Sequence, residues 1–194
     1  TVQAVQAVAT VLTIMVLTGM VDQEGLVIIF TGDGKGKTSA ALGIALRALG
    51  RGQRTAIFQF MKDCGRSGEQ MLDRKAIPLI EVHAFGAGFF MEGGDPAPHR
   101  KAAEEAWRAA EKELASGSAD IVVLDEISHA VNHGLISAEQ IVRSLSSRRS
   151  GLHVVLTGRS MPRDLIDVAD MITDMKEIRH PYHTGRGPVE GIDY

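Results

Sequence analysis

The chain has 194 residues, of which 44% are hydrophobic and 23% are charged, and its formal net charge is -3. That length and composition fit a globular protein with a sizeable core, and the weakly acidic balance excludes the basic surface expected of a nucleic-acid binder. The single cysteine excludes an internal disulfide or an iron–sulfur cluster, so a reducing cytoplasm is the expected location.

Residues 1–21 form an uncharged, largely apolar stretch. A membrane helix needs about 20 predominantly apolar residues, and here glutamines, threonines and a glycine interrupt the run. The stretch also lacks the positive flank that marks a signal peptide or orients a span. We therefore expect residues 1–24 to pack on the same domain or on a partner subunit, and we do not expect them to enter a membrane.

From residue 25 onward, apolar runs typical of buried strands alternate with helical patterns. This alternation predicts one α/β domain over residues 25–194, with helices on both faces of a mostly parallel central sheet. In such a three-layer fold, ligands bind beyond the carboxyl ends of the strands. The predicted strands span residues 26–30, 55–60, 79–84, 121–124, 153–157 and 171–175, and the two longest predicted helices span residues 37–49 and 98–115.

A glycine-rich segment, Thr-Gly-Asp-Gly-Lys-Gly-Lys-Thr at residues 31–38, joins the first predicted strand to the first helix. It keeps the Gly-Lys-Thr ending of a P-loop, although Thr31 replaces the usual first glycine. Its backbone N–H groups and the following helix N-terminus can cradle phosphate oxygens. A glycine-rich hairpin turn is the alternative, but it does not explain a lysine and a threonine at this spacing. The fold is therefore predicted to be P-loop NTPase-like (RecA-like). The predicted ATP-binding residues of the loop are Gly32, Asp33, Gly34, Lys35, Gly36, Lys37, Thr38 and Ser39.

Charged and hydroxyl side chains complete the predicted nucleotide site. Lys37 supplies a full positive charge to the phosphates. The Thr38 hydroxyl and Asp125, which follows an apolar strand, are placed to hold Mg²⁺ (or Mn²⁺). Glu126 is the next residue, and it would polarise the attacking water in a hydrolase or hydrogen-bond neighbouring loops in another enzyme.

Taken together, the ordered motifs between residue 25 and the end resemble the P-loop type of corrinoid adenosyltransferase, which acts on cob(I)alamin or cob(I)yrinic acid a,c-diamide. Thr31, which departs from the general P-loop pattern, is what this family has at that position. The resemblance implies attack of a Co(I) corrinoid on the 5′ carbon of ATP, with release of triphosphate. The matching segments are residues 30–38, 47–50, 59–62, 122–126, 157–159 and 191–194.

The resemblance also suggests which residues act on ATP. Co(I) has no proton to lose, so the reaction requires stabilisation of the leaving triphosphate and no general base. Lys37, Arg159 and Glu126 are the expected catalytic residues. Arg47 is also expected to bind ATP because it lies in a matching segment, although its position also suits an ordinary helix-surface residue. Arg159 is the stronger candidate, because it follows directly after a predicted strand.

A second loop, after the third predicted strand, resembles the corrinoid-facing loop of the family. Phe89, Phe90 and Met91 are the expected corrinoid contacts. Many family members carry Phe-x-Trp here, and Met91 stands where they have tryptophan. The two phenylalanines could instead be core residues. By the resemblance, this loop keeps the lower face of cobalt free of a ligand and makes Co(II) easier to reduce.

The sequence shows no flavin fingerprint, and one cysteine cannot hold a cluster. The expected electron donor is therefore a partner such as a reduced flavoprotein, and the resemblance implies a homodimer. His129 and His133 have the spacing of zinc ligands, but no third ligand or intervening glutamate accompanies them, so a zinc site is not expected.

Two other functions fit the residues. One is a phosphotransferase or ATPase of the same fold, which would release ADP. The other is a nucleotide-switch module, which would bind ATP tightly and turn over slowly. The phosphate product of the reaction distinguishes all three.

Overall fold

A parallel sheet forms the centre of the computed structural model, which describes residues 6, 10, 24–62, 65, 67–86 and 96–194. Within those residues the strands are β1 Val27–Thr31, β2 Thr55–Gln59, β3 Ile80–Ala84, β4 Ile121–Asp125, β5 His153–Thr157 and β6 Met171–Asp174. Their order across the sheet is β3-β2-β4-β5-β1-β6, and every neighbouring pair is parallel. All six predicted strands are confirmed, and so is the parallel arrangement of the sheet.

Helices follow most strands, as the sequence predicts. The longest, α2 (Ala97–Ser116), extends one residue further at each end than the predicted 98–115, and a proline in its first turn suits a helix start. Its alanine-rich sequence favours the helix further. The helices are α1 Lys37–Leu49, α2 Ala97–Ser116, α3 Ile127–Asn132, α4 Ala138–Ser146 and α5 Arg163–Ile166, with short 3₁₀ turns at Gly68–Met71 and Pro181–Thr184.

Two apolar layers hold the helices to the sheet. On one face, Ile28 and Phe30 of β1 pack in a cluster with the alanines of α1. On the other face, Val27 and Ile29 join a cluster that includes Trp107 of α2 and side chains of α4 and α5. Successive residues of β1 thus point to opposite faces, as in any strand, and both faces are covered. The three-layer α/β fold is confirmed.

The connections place the polar loops at one edge of the sheet. β1 lies between β5 and β6, and β4 lies between β2 and β5, so the segments after β1, β2, β4 and β5 all leave from the carboxyl edge. In the part of the chain that the structure describes, no helix is both long and apolar enough to span a bilayer. Residues 1–5, 7–9 and 11–23 lie outside the described residues, so the packing of the N-terminal segment stays a prediction.

The buried sheet should dominate the stability of the chain. Leu156 in β5 is fully buried, whereas Leu46 on α1 is 66% exposed. We expect Leu156→Ala to lower the free energy of unfolding by about 2–5 kcal/mol, because it leaves a cavity in the core. Leu46→Ala is the matched control and should change it by less than about 0.5 kcal/mol. Equal losses in chemical denaturation would contradict the assignment of the core.

Candidate active site

The phosphate loop after β1 is held against the end of β6. The Gly34 N–H donates to the Met175 carbonyl at 2.7 Å, and the Met175 N–H donates to the Thr31 carbonyl at 2.8 Å. Gly32 has a φ of 96°, and a Cβ there would lie 2.5 Å from the Met175 carbonyl oxygen. A residue with a side chain would therefore be strained and would push the loop off β6. Gly32 and Gly34 thus serve the packing of the loop against the end of β6.

Lys37 begins α1 and reaches back over the loop. Its ammonium donates to the carbonyls of Gly32 at 2.6 Å and Gly34 at 2.7 Å. Burial lowers the pKa of Lys37, and the nearby Arg159 charge lowers it further, while Glu126 is the largest of the acidic groups that oppose the shift. An anion that enters beside this partly buried ammonium would stabilise its charged form.

Asp125, at the end of β4, is fully buried and joins several elements. Its Oδ1 accepts hydrogen bonds from the Thr38 hydroxyl at 2.8 Å and the Thr157 hydroxyl at 2.7 Å. Its Oδ2 accepts a hydrogen bond from Gln59 Nε2 at 3.3 Å and forms an ion pair with Lys62 Nζ at 3.4 Å. Thr38 and Asp125, the two residues expected to hold Mg²⁺, are therefore adjacent, and both carry oxygen donors of the type that Mg²⁺ prefers.

Glu126 has an unusual backbone for a residue with a side chain. Its φ is 60°, and its N–H donates to the Thr157 hydroxyl at 2.8 Å. The same hydroxyl donates to Asp125, so both acidic residues depend on the end of β5. Burial raises the pKa of Glu126, and the Asp125 charge raises it further, against the opposing charges of Lys62 and Lys37. Strained residues of this kind are concentrated at functional sites.

The loop after β5 is held by α3. The Ser128 hydroxyl donates to the Arg159 carbonyl at 2.6 Å, and Asn132 Nδ2 donates to the Ser160 carbonyl at 3.0 Å. Gly158 has a φ of 143°, and a Cβ there would collide with the Ser128 hydroxyl. These contacts fix the backbone of Arg159 at the carboxyl edge of the sheet, which is where the sequence predicts a site residue.

A cleft of about 480 Å³ brings most of the predicted residues together. Asp125 lies buried beneath it, and Arg47 is exposed on α1 and does not line it. Gly32 and Asp33 also lie outside its lining, while Phe89, Phe90 and Met91 lie outside the described residues, so their assignments stay predictions. The predicted residues that line the cleft are Gly34, Lys35, Gly36, Lys37, Thr38, Ser39, Glu126 and Arg159.

Several residues in and around the cleft were given no role by the sequence. Lys62 and Glu69 line it after β2, and Lys35 forms an ion pair with Asp193 of the closing segment. The buried Gln59 and Thr157 end strands β2 and β5 beside Asp125. For Gln59, Thr157 and Lys62 the available signal is position, because each is a polar residue at or just beyond a strand end, where ligands bind in this type of sheet. Glu69 lies in the 3₁₀ turn Gly68–Met71 and Asp193 in the closing segment, so this signal does not mark them.

His129 and His133 are stacked, with ring centroids 6.4 Å apart. Burial lowers the pKa of His129, and His133 and Arg159 lower it further, so the neutral imidazole is favoured in the cleft. Across the described residues, no group of three or more histidine, cysteine or acidic side chains is arranged to hold a metal ion. A larger cavity of about 690 Å³ between α2 and the α3–α4 connection contains none of the predicted site residues in its lining.

The sequence matches one family model across residues 23–194, and its description is "ATP:corrinoid adenosyltransferase BtuR/CobO/CobP". The chain belongs to this family. Curated corrinoid adenosyltransferases are similar throughout: that of Pseudomonas aeruginosa is 33% identical over 89% of this chain and 85% of its own length. Those of Escherichia coli K12 and a Sinorhizobium species are 34% and 36% identical over 89% of this chain, and over 87% and 82% of their own lengths.

Membership of the adenosyltransferase family confirms the resemblance drawn from the motifs. The matched region contains the whole phosphate loop, Asp125 with Glu126, Arg159 and the closing segment 191–194. All residues that line the cleft thus lie within the region that matches the family model.

The raised pKa of Glu126 predicts a pH-dependent effect on stability. Because the folded state keeps the Glu126 proton to a higher pH than the unfolded state, stability is lost as pH rises from about 4.5 through the folded pKa. We expect Glu126→Gln to remove this loss, so the variant should gain stability relative to the wild type between pH 4 and pH 8. Urea denaturation across this range measures the difference. Glu190→Gln, at an exposed residue just before the closing segment, is the control. A difference for Glu126→Gln that does not change with pH would contradict the assignment.

Proposed function

We propose that this chain transfers the 5′-deoxyadenosyl group of ATP to the Co(I) of a corrinoid and releases triphosphate. The observation that carries the proposal is the cleft in which Lys37, Thr38 and Arg159 meet above Asp125, in a chain of the adenosyltransferase family. The site is rich in groups that stabilise negative charge, as an intact triphosphate leaving group requires.

The chemistry assigns a different task to each part of the cleft. Co(I) is a strong nucleophile and prefers an alkyl carbon to phosphorus, so attack at C5′ leaves the three phosphates joined. Negative charge then grows on the leaving oxygen, where Lys37, Arg159 and the amides of the phosphate loop can stabilise it. Glu126 interacts electrostatically with Lys37 and Arg159, and we assign it to keeping those cations in place.

The oxygens of Thr38 and Asp125 fit a divalent cation, Mg²⁺ or Mn²⁺. The two side chains are already hydrogen-bonded at 2.8 Å, and both are hard oxygen donors of the type that Mg²⁺ prefers. A bound cation would neutralise part of the phosphate charge.

The remaining assignments rest on the family. We propose that Phe89, Phe90 and Met91 contact the corrinoid and that the electron for Co(I) comes from an external donor such as a reduced flavoprotein. A homodimer in the cytoplasm is proposed on the same basis.

Lys37→Ala should reduce turnover by a factor on the order of 10²–10³, because it removes one preorganised stabiliser of the leaving group. Lys112→Ala, on the exposed face of α2, is the control and should retain full activity. The assay combines MgATP with chemically reduced corrinoid, follows the corrinoid spectrum and identifies the phosphate product by phosphorus NMR.

Inorganic triphosphate is the expected product, formed in step with alkylated cobalt. Formation of ADP and phosphate with unalkylated cobalt would instead support the phosphotransferase or ATPase. Near-normal activity of Lys37→Ala would contradict the proposal that the phosphate loop stabilises the leaving triphosphate.

A further inference from the structure

Lys62 lies just beyond β2 and forms two ion pairs in the candidate active site. Its Nζ is 2.9 Å from Glu69 Oε1 and 3.4 Å from Asp125 Oδ2. The side chain is 26% exposed and lines the same cleft as Lys37 and Arg159. It is therefore a charged group that lies between the buried carboxylate and the space assigned to the phosphates.

The contacts of Asp125 limit how a cation can reach it. Oδ1 accepts hydrogen bonds from two hydroxyls, and Oδ2 faces Gln59 and Lys62. These four donors are about as many as one carboxylate can accept. A divalent cation that binds this carboxylate must therefore displace one of these donors or bind beside the positive charge of Lys62.

Gln59 is the harder partner to remove. Its Nε2 also donates to Glu69 Oε1 at 2.8 Å, and its Oε1 accepts from Gln70 Nε2 at 2.7 Å. Moving it would break those hydrogen bonds in a fully buried position. Lys62 has a flexible stem, a partly exposed side chain and a second acidic partner, so it can move at a smaller cost.

We propose that Lys62 is a further cation of the triphosphate site. Its ammonium pairs with Asp125 until a divalent cation binds that carboxylate, and it then turns to contact the triphosphate. The identity of the anion rests on the proposed function. In this account Lys62 competes with the divalent cation when phosphates are absent and assists it when they are present.

A residue with this role affects the affinities for a divalent cation and for triphosphate in opposite directions. Removing the ammonium should strengthen binding of a divalent cation alone, because a positive charge 3.4 Å from the Asp125 carboxylate opposes a second cation. The same change should weaken binding of triphosphate, because one charge-assisted contact is lost. A residue that only supports the fold would move both affinities in the same direction or neither.

The experiment compares Lys62→Met, Lys62→Arg and Lys35→Met in the full chain. Mn²⁺ binding is measured by electron paramagnetic resonance without phosphates, and binding of magnesium triphosphate is measured by calorimetry. We expect Lys62→Met to bind Mn²⁺ about tenfold more tightly and magnesium triphosphate about tenfold more weakly than the wild type. Lys62→Arg keeps the charge and should stay close to the wild type for both.

Lys35→Met is the matched control for Mn²⁺, because Lys35 lines the same cleft but pairs with Asp193. Thermal unfolding of each variant checks that the fold is kept. If the wild type binds both ligands and Lys62→Met binds Mn²⁺ no more tightly than the wild type, the role of Lys62 is overturned and the proposed function still stands. A wild type that binds neither ligand would overturn both proposals.

Discussion

The hydrogen-bond network of the buried Asp125 carboxylate is the interaction on which the rest of the candidate active site depends. Through Thr38 it joins β4 to the helix that carries the phosphate loop, and through Thr157 it joins the loop that carries Arg159. Gln59 links it to β2. The strand order makes this possible, because β4 lies between β2 and β5 and all three strands end at the same edge. One negative charge therefore sets the positions of groups from three neighbouring segments.

The cations of the cleft differ in how their charge is balanced. Lys37 lies against backbone carbonyls, whereas Lys62 takes its counter-charge from Asp125 and Glu69. Burial and Arg159 depress the pKa of Lys37, so an entering polyphosphate relieves repulsion that the folded protein already contains. Stability is lowered in such a site and is recovered when the anion binds, which is a common cost of function.

Much of the fold could be predicted because its signals are local. Buried strands appear as continuous apolar runs, and the phosphate loop is a contiguous motif between a strand and a helix. β6 gave a weaker signal, because Met171 and Ile172 are each 44% exposed at the sheet edge. The contacts of Asp125 with Gln59 and Thr157 could not be predicted, because these residues lie 66 and 32 residues away in sequence and meet it only through the strand order.

The most direct test of the central claim follows one oxygen atom of ATP. With ATP labelled by heavy oxygen at the bridge between C5′ and the α-phosphorus, the proposed reaction breaks the carbon–oxygen bond. Mass spectrometry should then find the label entirely in the released triphosphate and none in the adenosylated corrinoid. A label that stays with the nucleoside, in ADP or AMP, would mean that a phosphorus–oxygen bond was broken and would contradict the account.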